Sequence, residues 1–167
     1  MAEINPHMPR TFGDTFVPLT DFDYLVRSTE ELVCFPRWPV DDTFDILAGN
    51  VASVIEDDSC LAFFNGPLFE ALGKHLIHKK NLGIHSPFFT DSLMDLVKSG
   101  AVTNRKKEIC QGKSLTSYAG GSRELLTWLD RNPLVEFQGI DKVFSPIQVG
   151  QNRNFMAIFP ARKVDLS

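Results

Sequence analysis

Residues 60–89, CLAFFNGPLFEALGKHLIHKKNLGIHSPFF, decide the fold. Residues 60–64 are a short, continuously apolar run, the pattern of a strand buried on both faces. Asn65-Gly66-Pro67 turns the chain, and Pro67 suits the first turn of a helix, where its missing N–H is no loss. The segment GPLFEALGKHLIHKK then places Leu68, Phe69, Leu72, Leu76 and Ile77 on one helical stripe, as expected of a face turned to a core. Residues 81–86, NLGIHS, form the next short strand candidate.

The pattern continues outward in both directions. Upstream, Asp41-Asp42-Thr43 supplies helix caps ahead of Phe44, Ile46, Leu47, Val51, Val54 and Ile55 at roughly helical spacing, and Asp57-Asp58 stops the helix. Residues 1–40 carry several prolines and read as an extended N-terminal segment. Downstream, Thr90 or Asp91 caps a helix through Leu93, Met94, Leu96 and Val97 that ends at Gly100. Residues 113–118 read as a strand. Gly120-Gly121-Ser122 leads into a helix over 123–131, with Leu125, Leu126 and Leu129 inward, and residues 135–137 and 155–158 are two further strands. Strands alternating with helices of about ten residues predict an α/β domain over 41–167, with an open, mainly parallel sheet and flanking helices.

Composition narrows the function. A chain of 167 residues, 43% hydrophobic and 23% charged, suits one globular domain. A net charge of −4 offers no basic face for nucleic acid. No apolar run reaches the roughly 18–20 residues of a membrane span, and the N-terminus lacks a secretory pattern. Cys34, Cys60 and Cys110, odd in number and far apart, read as reduced thiols, which places the protein in the cytoplasm. Fourteen Phe stand against two Tyr and two Trp. Phe63, Phe64, Phe88 and Phe89 either pack a core or fill a cavity that a related protein leaves open.

Five stretches in register carry a resemblance: EINPHMPRTFGD (3–14), NLGIHS (81–86) followed by Asp91, DLVKSGAVTN (95–104), GSRELLTWLDRNP (121–133) and AIFPARKVDL (157–166). Together they resemble the acetyl-CoA hydrolase/4-hydroxybutyrate CoA-transferase family, over nearly all of this chain but less than half of a family member. The resemblance implies an incomplete CoA-transferase-like fold and a ping-pong exchange of CoA between acids. In that exchange a glutamate attacks the acyl-CoA thioester and becomes first an anhydride and then a glutamyl-CoA thioester.

The implied machinery does not carry over. The family glutamate falls two places after the His of its G-I-H run; here Gly83-Ile84-His85-Ser86 is followed by Pro87, which has no nucleophile and no ionisable group. The family glutamine, twenty-five positions earlier, falls on Ala62, beside a glycine turn that reads Phe64-Asn65-Gly66. The family Ile-Asn-Ser-Ala is Ile158-Phe159-Pro160-Ala161. No catalytic residue is assigned. The candidate pocket is Asn65, Gly66, His85, Ser86, Phe88, Asp91 and Phe159. Glu70 and Asp91 are explained as a helix surface and a helix cap.

Among other candidates, His85 as a base and Ser86 as a nucleophile would point to opposite faces of one strand, so a structural histidine is favoured. No metal-ligand spacing is visible. Gly120-Gly121-Ser122 reads as a turn with a Ser cap rather than an anion site. Lys79-Lys80 and Arg105-Lys106-Lys107 read as solvated surface, or as contacts for CoA phosphates. The expectation is therefore a degenerate CoA-transferase-like module, a pseudoenzyme with structural, partner-binding or acyl-CoA-binding roles. It would hold no permanent cofactor, with CoA or acyl-CoA as the ligand, and would form a homo-oligomer or pair with a second CoA-transferase-like chain. The alternatives are a subunit or fragment of an active CoA-transferase or acetyl-CoA hydrolase, or changed chemistry at His85, Ser86 or Asn65.

Overall fold

The computed structural model describes residues 1–161 and 163–165. Arg162 and Leu166, within the closing family-like stretch, lie outside the described residues. Residues 1–40 carry three short strands, β1 (Ala2–Ile4), β2 (Phe12–Gly13) and β3 (Leu25–Arg27), and one 3-10 turn at Leu19–Asp21. The α/β pattern follows as α1 (Asp42–Ser53), β4 (Cys60–Ala62), α2 (Pro67–Leu76), β5 (Gly83–Ile84), β6 (Phe88–Phe89) and α3 (Asp91–Lys98). It continues with β7 (Ser114–Thr116), β8 (Tyr118–Ala119), α4 (Arg123–Leu129), β9 (Val135–Phe137), α5 (Ile140–Val143), α6 (Pro146–Val149) and β10 (Phe155–Ala157).

Every strand pairing is parallel. One three-stranded sheet runs β10-β4-β5 and another β2-β9-β7. A single bridge, His85 with Leu115, joins them at the β5/β7 seam. β6 and β8 pair with each other just past Pro87 and Ser117, so they prolong the β5 and β7 neighbours beyond a break. β1 and β3 form a separate, largely exposed ribbon.

Local signals account for the helix ends. The Asp41 carboxylate accepts from the Phe44 N–H at 2.9 Å and caps α1. Gly66 caps α2 with φ 136°, a conformation that favours glycine, and Pro67 opens the helix. Helix α3 stops before Gly100, which sits at φ 83°. The Ser122 hydroxyl accepts from the Leu125 N–H and caps α4, as the turn reading expects. Among the described residues, no helix is long and apolar enough to cross a membrane.

The core lies between the sheet and helices α1–α4, with Leu61, Phe63, Leu72, Leu76, Ile84, Phe89, Leu93, Met94, Leu96, Leu125 and Leu129 all buried. Several expectations need correction. Helix α1 buries only part of its expected stripe: Ile46, Leu47 and, at the C-cap, Val54 are exposed, Phe44 and Val51 are half-buried, Ile55 just past the helix is buried, and Ala48 and Ala52 form its inner face. Helix α1 packs on α2, and small residues let two helices approach closely. Phe64 leaves the strand and is exposed. Helix α4 ends at Leu129, not Arg131, because the N-terminal segment meets it there. Arg10 N–H donates to Asp130 Oδ1 and Arg131 N–H donates to the Arg10 carbonyl, both at 2.8 Å.

Candidate functional site

Past β5 the chain alternates. Ile84 joins the core, His85 faces the opposite side, and Ser86 turns back under the neighbouring strand. The Ser86 hydroxyl accepts from the Phe63 N–H at 3.1 Å and lies 2.8 Å from the Phe63 carbonyl. It stitches the end of β4 to the end of β5 and is fully buried.

His85 is equally committed. Its Nε2 lies 2.8 Å from the Val143 carbonyl, and its Nδ1 lies 2.9 Å from Asn152 Nδ2. A carbonyl needs a donor and an amide NH2 needs an acceptor, so the ring is neutral with its proton on Nε2. Burial, foremost, holds its pKa below the usual 6.5. The edge of the Phe155 ring closes one side, with ring centroids 5.9 Å apart. With both nitrogens occupied, His85 is the satisfied structural histidine that the sequence favoured.

A pocket of about 270 Å³ opens between Ala62, His85, Pro87 and Phe159. Phe155 and Ala157 of β10 form one wall, and Val143, Phe144, Pro146 and Val149, from the α5–α6 region, form another. None of these ten lining residues carries a carboxylate, an amide or a hydroxyl. Ala62, Pro87 and Phe159, the three positions that the sequence reading set against the family pattern, meet around one hollow, and that hollow is open. The reading that Phe63, Phe64, Phe88 and Phe89 fill it does not hold. Phe63 packs on Phe69, Phe64 on Phe159, Phe88 on Tyr118, and Phe89 stacks on Trp128.

The other candidates lie nearby but outside that pocket. Asn65 and Gly66 line a second hollow with Leu47, Leu68 and Phe159. Asn65 accepts from Trp38 Nε1 at 3.1 Å and, with Phe88, also borders a third hollow beside Phe35. Asp91 is not a cap for its own helix. Its carboxylate accepts from the Ser122 N–H at 2.9 Å and from the Ser122 hydroxyl, fastening α3 to the start of α4. Glu70 is no surface residue either: it is buried and accepts from Arg37 Nε at 3.0 Å and Nη2 at 2.7 Å. The same Arg37 reaches Asp95 at 2.6 Å.

Lys107 departs furthest from its sequence reading. It is 2% exposed, and its ammonium donates to the Ile84 carbonyl at 2.8 Å and the Lys113 carbonyl at 2.7 Å. Its stem lies on Gly83, where a Cβ would come within 2.6 Å of Lys107 Cγ. Burial, foremost, pushes its pKa below the usual lysine value. The Arg-Lys-Lys run carried no signal of this. The α5–α6 region, which builds a wall of the pocket, was also missed, because residues 138–154 show no clear periodicity.

The comparisons with known proteins meet this geometry. Residues 121–167 match the acetyl-CoA hydrolase/transferase C-terminal domain. The 4-hydroxybutyrate coenzyme A transferase of Clostridium kluyveri is 36% identical over 166 residues, 99% of this chain and 39% of that protein. The succinyl-CoA:cyclohexane-1-carboxylate CoA transferase of Geobacter metallireducens is 32% identical over 99% of this chain and 38% of its own length. Among solved structures, a 4-hydroxybutyrate CoA-transferase from Porphyromonas gingivalis superposes with TM-score 0.88 at 28% identity, covering 93% of this chain and 40% of that one. RipA from Yersinia pestis gives TM-score 0.89 at 27% identity, covering 93% and 36%. The fold is thus of CoA-transferase type. The chain is similar to members of the acetyl-CoA hydrolase/4-hydroxybutyrate CoA-transferase family over nearly its whole length, with residues 121–167 matching the C-terminal domain, and it spans about two fifths of the length of these curated relatives.

Proposed function

We propose that this chain is a non-catalytic module of the CoA-transferase family, which keeps a pocket for an acyl group but takes no CoA onto itself. The observation that carries this reading is the open pocket over Pro87 with no carboxylate in its lining. CoA exchange through the enzyme needs a nucleophile that first joins the acyl group and then the thiol. Proline supplies neither step, and Ala62 offers no amide to a developing oxyanion. The bonds of His85 and Ser86 oppose a substitute role for either. In this reading the ligand is an acyl-CoA held reversibly, the partner is a second copy or another CoA-transferase-like chain, and the protein works in the cytoplasm.

Incubation with acetyl-CoA, borohydride trapping and intact-protein mass spectrometry test the reading: the expected spectrum shows unmodified protein. A covalent CoA adduct on the isolated chain without borohydride, or a carboxylate side chain reduced to its alcohol with it, overturns the reading. The open mouth of the pocket favours one second reading, in which another chain inserts the missing glutamate. In that case CoA transfer appears only in a purified complex with a larger family member.

A further inference from the structure

We propose that the pocket over Pro87 admits only uncharged aliphatic groups, the acyl chain of a thioester, and excludes the free carboxylate of an acid. This deepens the reading above and rests on that pocket being a binding site.

The argument begins with what a carboxylate would meet. Moving an ionised carboxylate out of water is costly unless donors or a counter-charge replace the solvent, and otherwise the group takes up a proton. The wall positions that could have supplied donors are Ala62, Pro87 and Phe159. The single ionisable residue in the lining is His85, and neither ring nitrogen is free. To meet an anion, Nε2 would have to abandon the Val143 carbonyl, or Nδ1 would need a proton where the Asn152 amide already points one. The cation behind it, Lys107, is tied to two backbone carbonyls. Phe155 and Val143, which also pack on His85, bring no charge.

An uncharged chain meets no such obstacle. The pocket's 270 Å³ holds roughly nine non-hydrogen atoms at the ~30 Å³ that a water-sized group occupies. Each methylene that leaves water for the hollow adds to binding. A thioester's acyl chain is neutral along its length, so it fits where its parent acid does not.

Hexan-1-ol and hexanoate, each short enough to lie wholly within the hollow, are the probes, titrated into the full chain by calorimetry with ligand-observed NMR, from about pH 7 to about pH 9. Hexanol affinity is expected to stay level, while hexanoate affinity falls about tenfold per pH unit, because only the protonated acid enters. Hexanoate binding within about threefold of hexanol at the top of that range overturns the proposal and leaves the pocket reading intact. Failure of both probes to bind overturns the proposal together with the pocket reading. Ala62→Gln, which places an amide on the wall, is expected to raise hexanoate affinity several-fold relative to hexanol. Val149→Phe is expected to abolish binding of both probes with the circular dichroism unchanged, and if that variant does not fold, the Ala62→Gln ratio decides.

Discussion

The two ends of the stretch from Gly83 to Pro87 solve opposite problems. At the Gly83–Ile84 end, polar groups are buried and fully engaged. The Ile84 N–H donates to Asn104 Oδ1 at 2.8 Å, the Ile84 carbonyl accepts from Lys107, and Asn104 Nδ2 reaches the Ser114 hydroxyl at 3.1 Å. Only one bridge joins β5 to β7, so these side chains take the place of ladder hydrogen bonds across the seam. Three residues past Ile84, at Pro87, the chain borders a hollow in which His85 is the one polar side chain of the lining. The difference separates two pressures on buried polarity. Where polar groups hold strands together they are present and paired; around Pro87 the lining is almost wholly apolar, and the space is open.

That contrast can be broken most forcefully from the polar end. Lys107→Ala leaves two buried carbonyls without a donor and opens a void over Gly83, for an expected loss of about 3–5 kcal/mol in urea unfolding. Lys107→Met keeps most of the volume, and its smaller loss, about 2 kcal/mol, isolates the hydrogen-bonding share. A Lys107→Ala variant as stable as the wild type would remove the seam from the argument.

From the apolar end, Pro87→Glu places a carboxyl in the hollow. Burial raises an acid's pKa, so the folded state keeps a proton that the unfolded state gives up, and stability falls as pH rises. Melting at pH 5 and pH 8 is expected to show a deficit of about 1–3 kcal/mol at the higher pH and a smaller one at the lower. An equal deficit at both would mean that the glutamate reaches water or a donor.

The smallest effect sharpens the boundary between the two ends. His85 has a lowered pKa, so the unfolded chain binds its proton first as the solution is acidified. Its contribution to stability is complete above about pH 6.5 and is lost as pH falls below that value. Melting temperatures between about pH 7.5 and 5 should decline in the wild type and decline less in His85→Gln.

The sequence spoke clearly where a signal is local. Asp41, Pro67, Gly100 and Ser122 mark helix ends because capping acts within one turn, and the helices start and stop beside them. Burial was harder to read, since it depends on what the fold brings from elsewhere. Ile46 and Val54 had the right spacing, yet α1 turns its alanines inward. Lys107 sat in a basic run and Glu70 on a helix, and both are buried because distant partners, the carbonyls of Ile84 and Lys113 and the guanidinium of Arg37, satisfy them. At the site, the family resemblance brought Ala62, Pro87 and Phe159 into one argument, and they share one hollow. The opposite wall, Val143 to Val149, was invisible because two single-turn helices carry no repeat to detect.

The pairing of β2 with β9 has a consequence for how the protein is made. Phe12 lies in register with Glu136, so this edge cannot close until the ribosome has added the intervening stretch. At 5–20 residues per second that delay is roughly 6–25 s. Throughout it the Phe12–Gly13 backbone of the nascent chain waits without its partner strand.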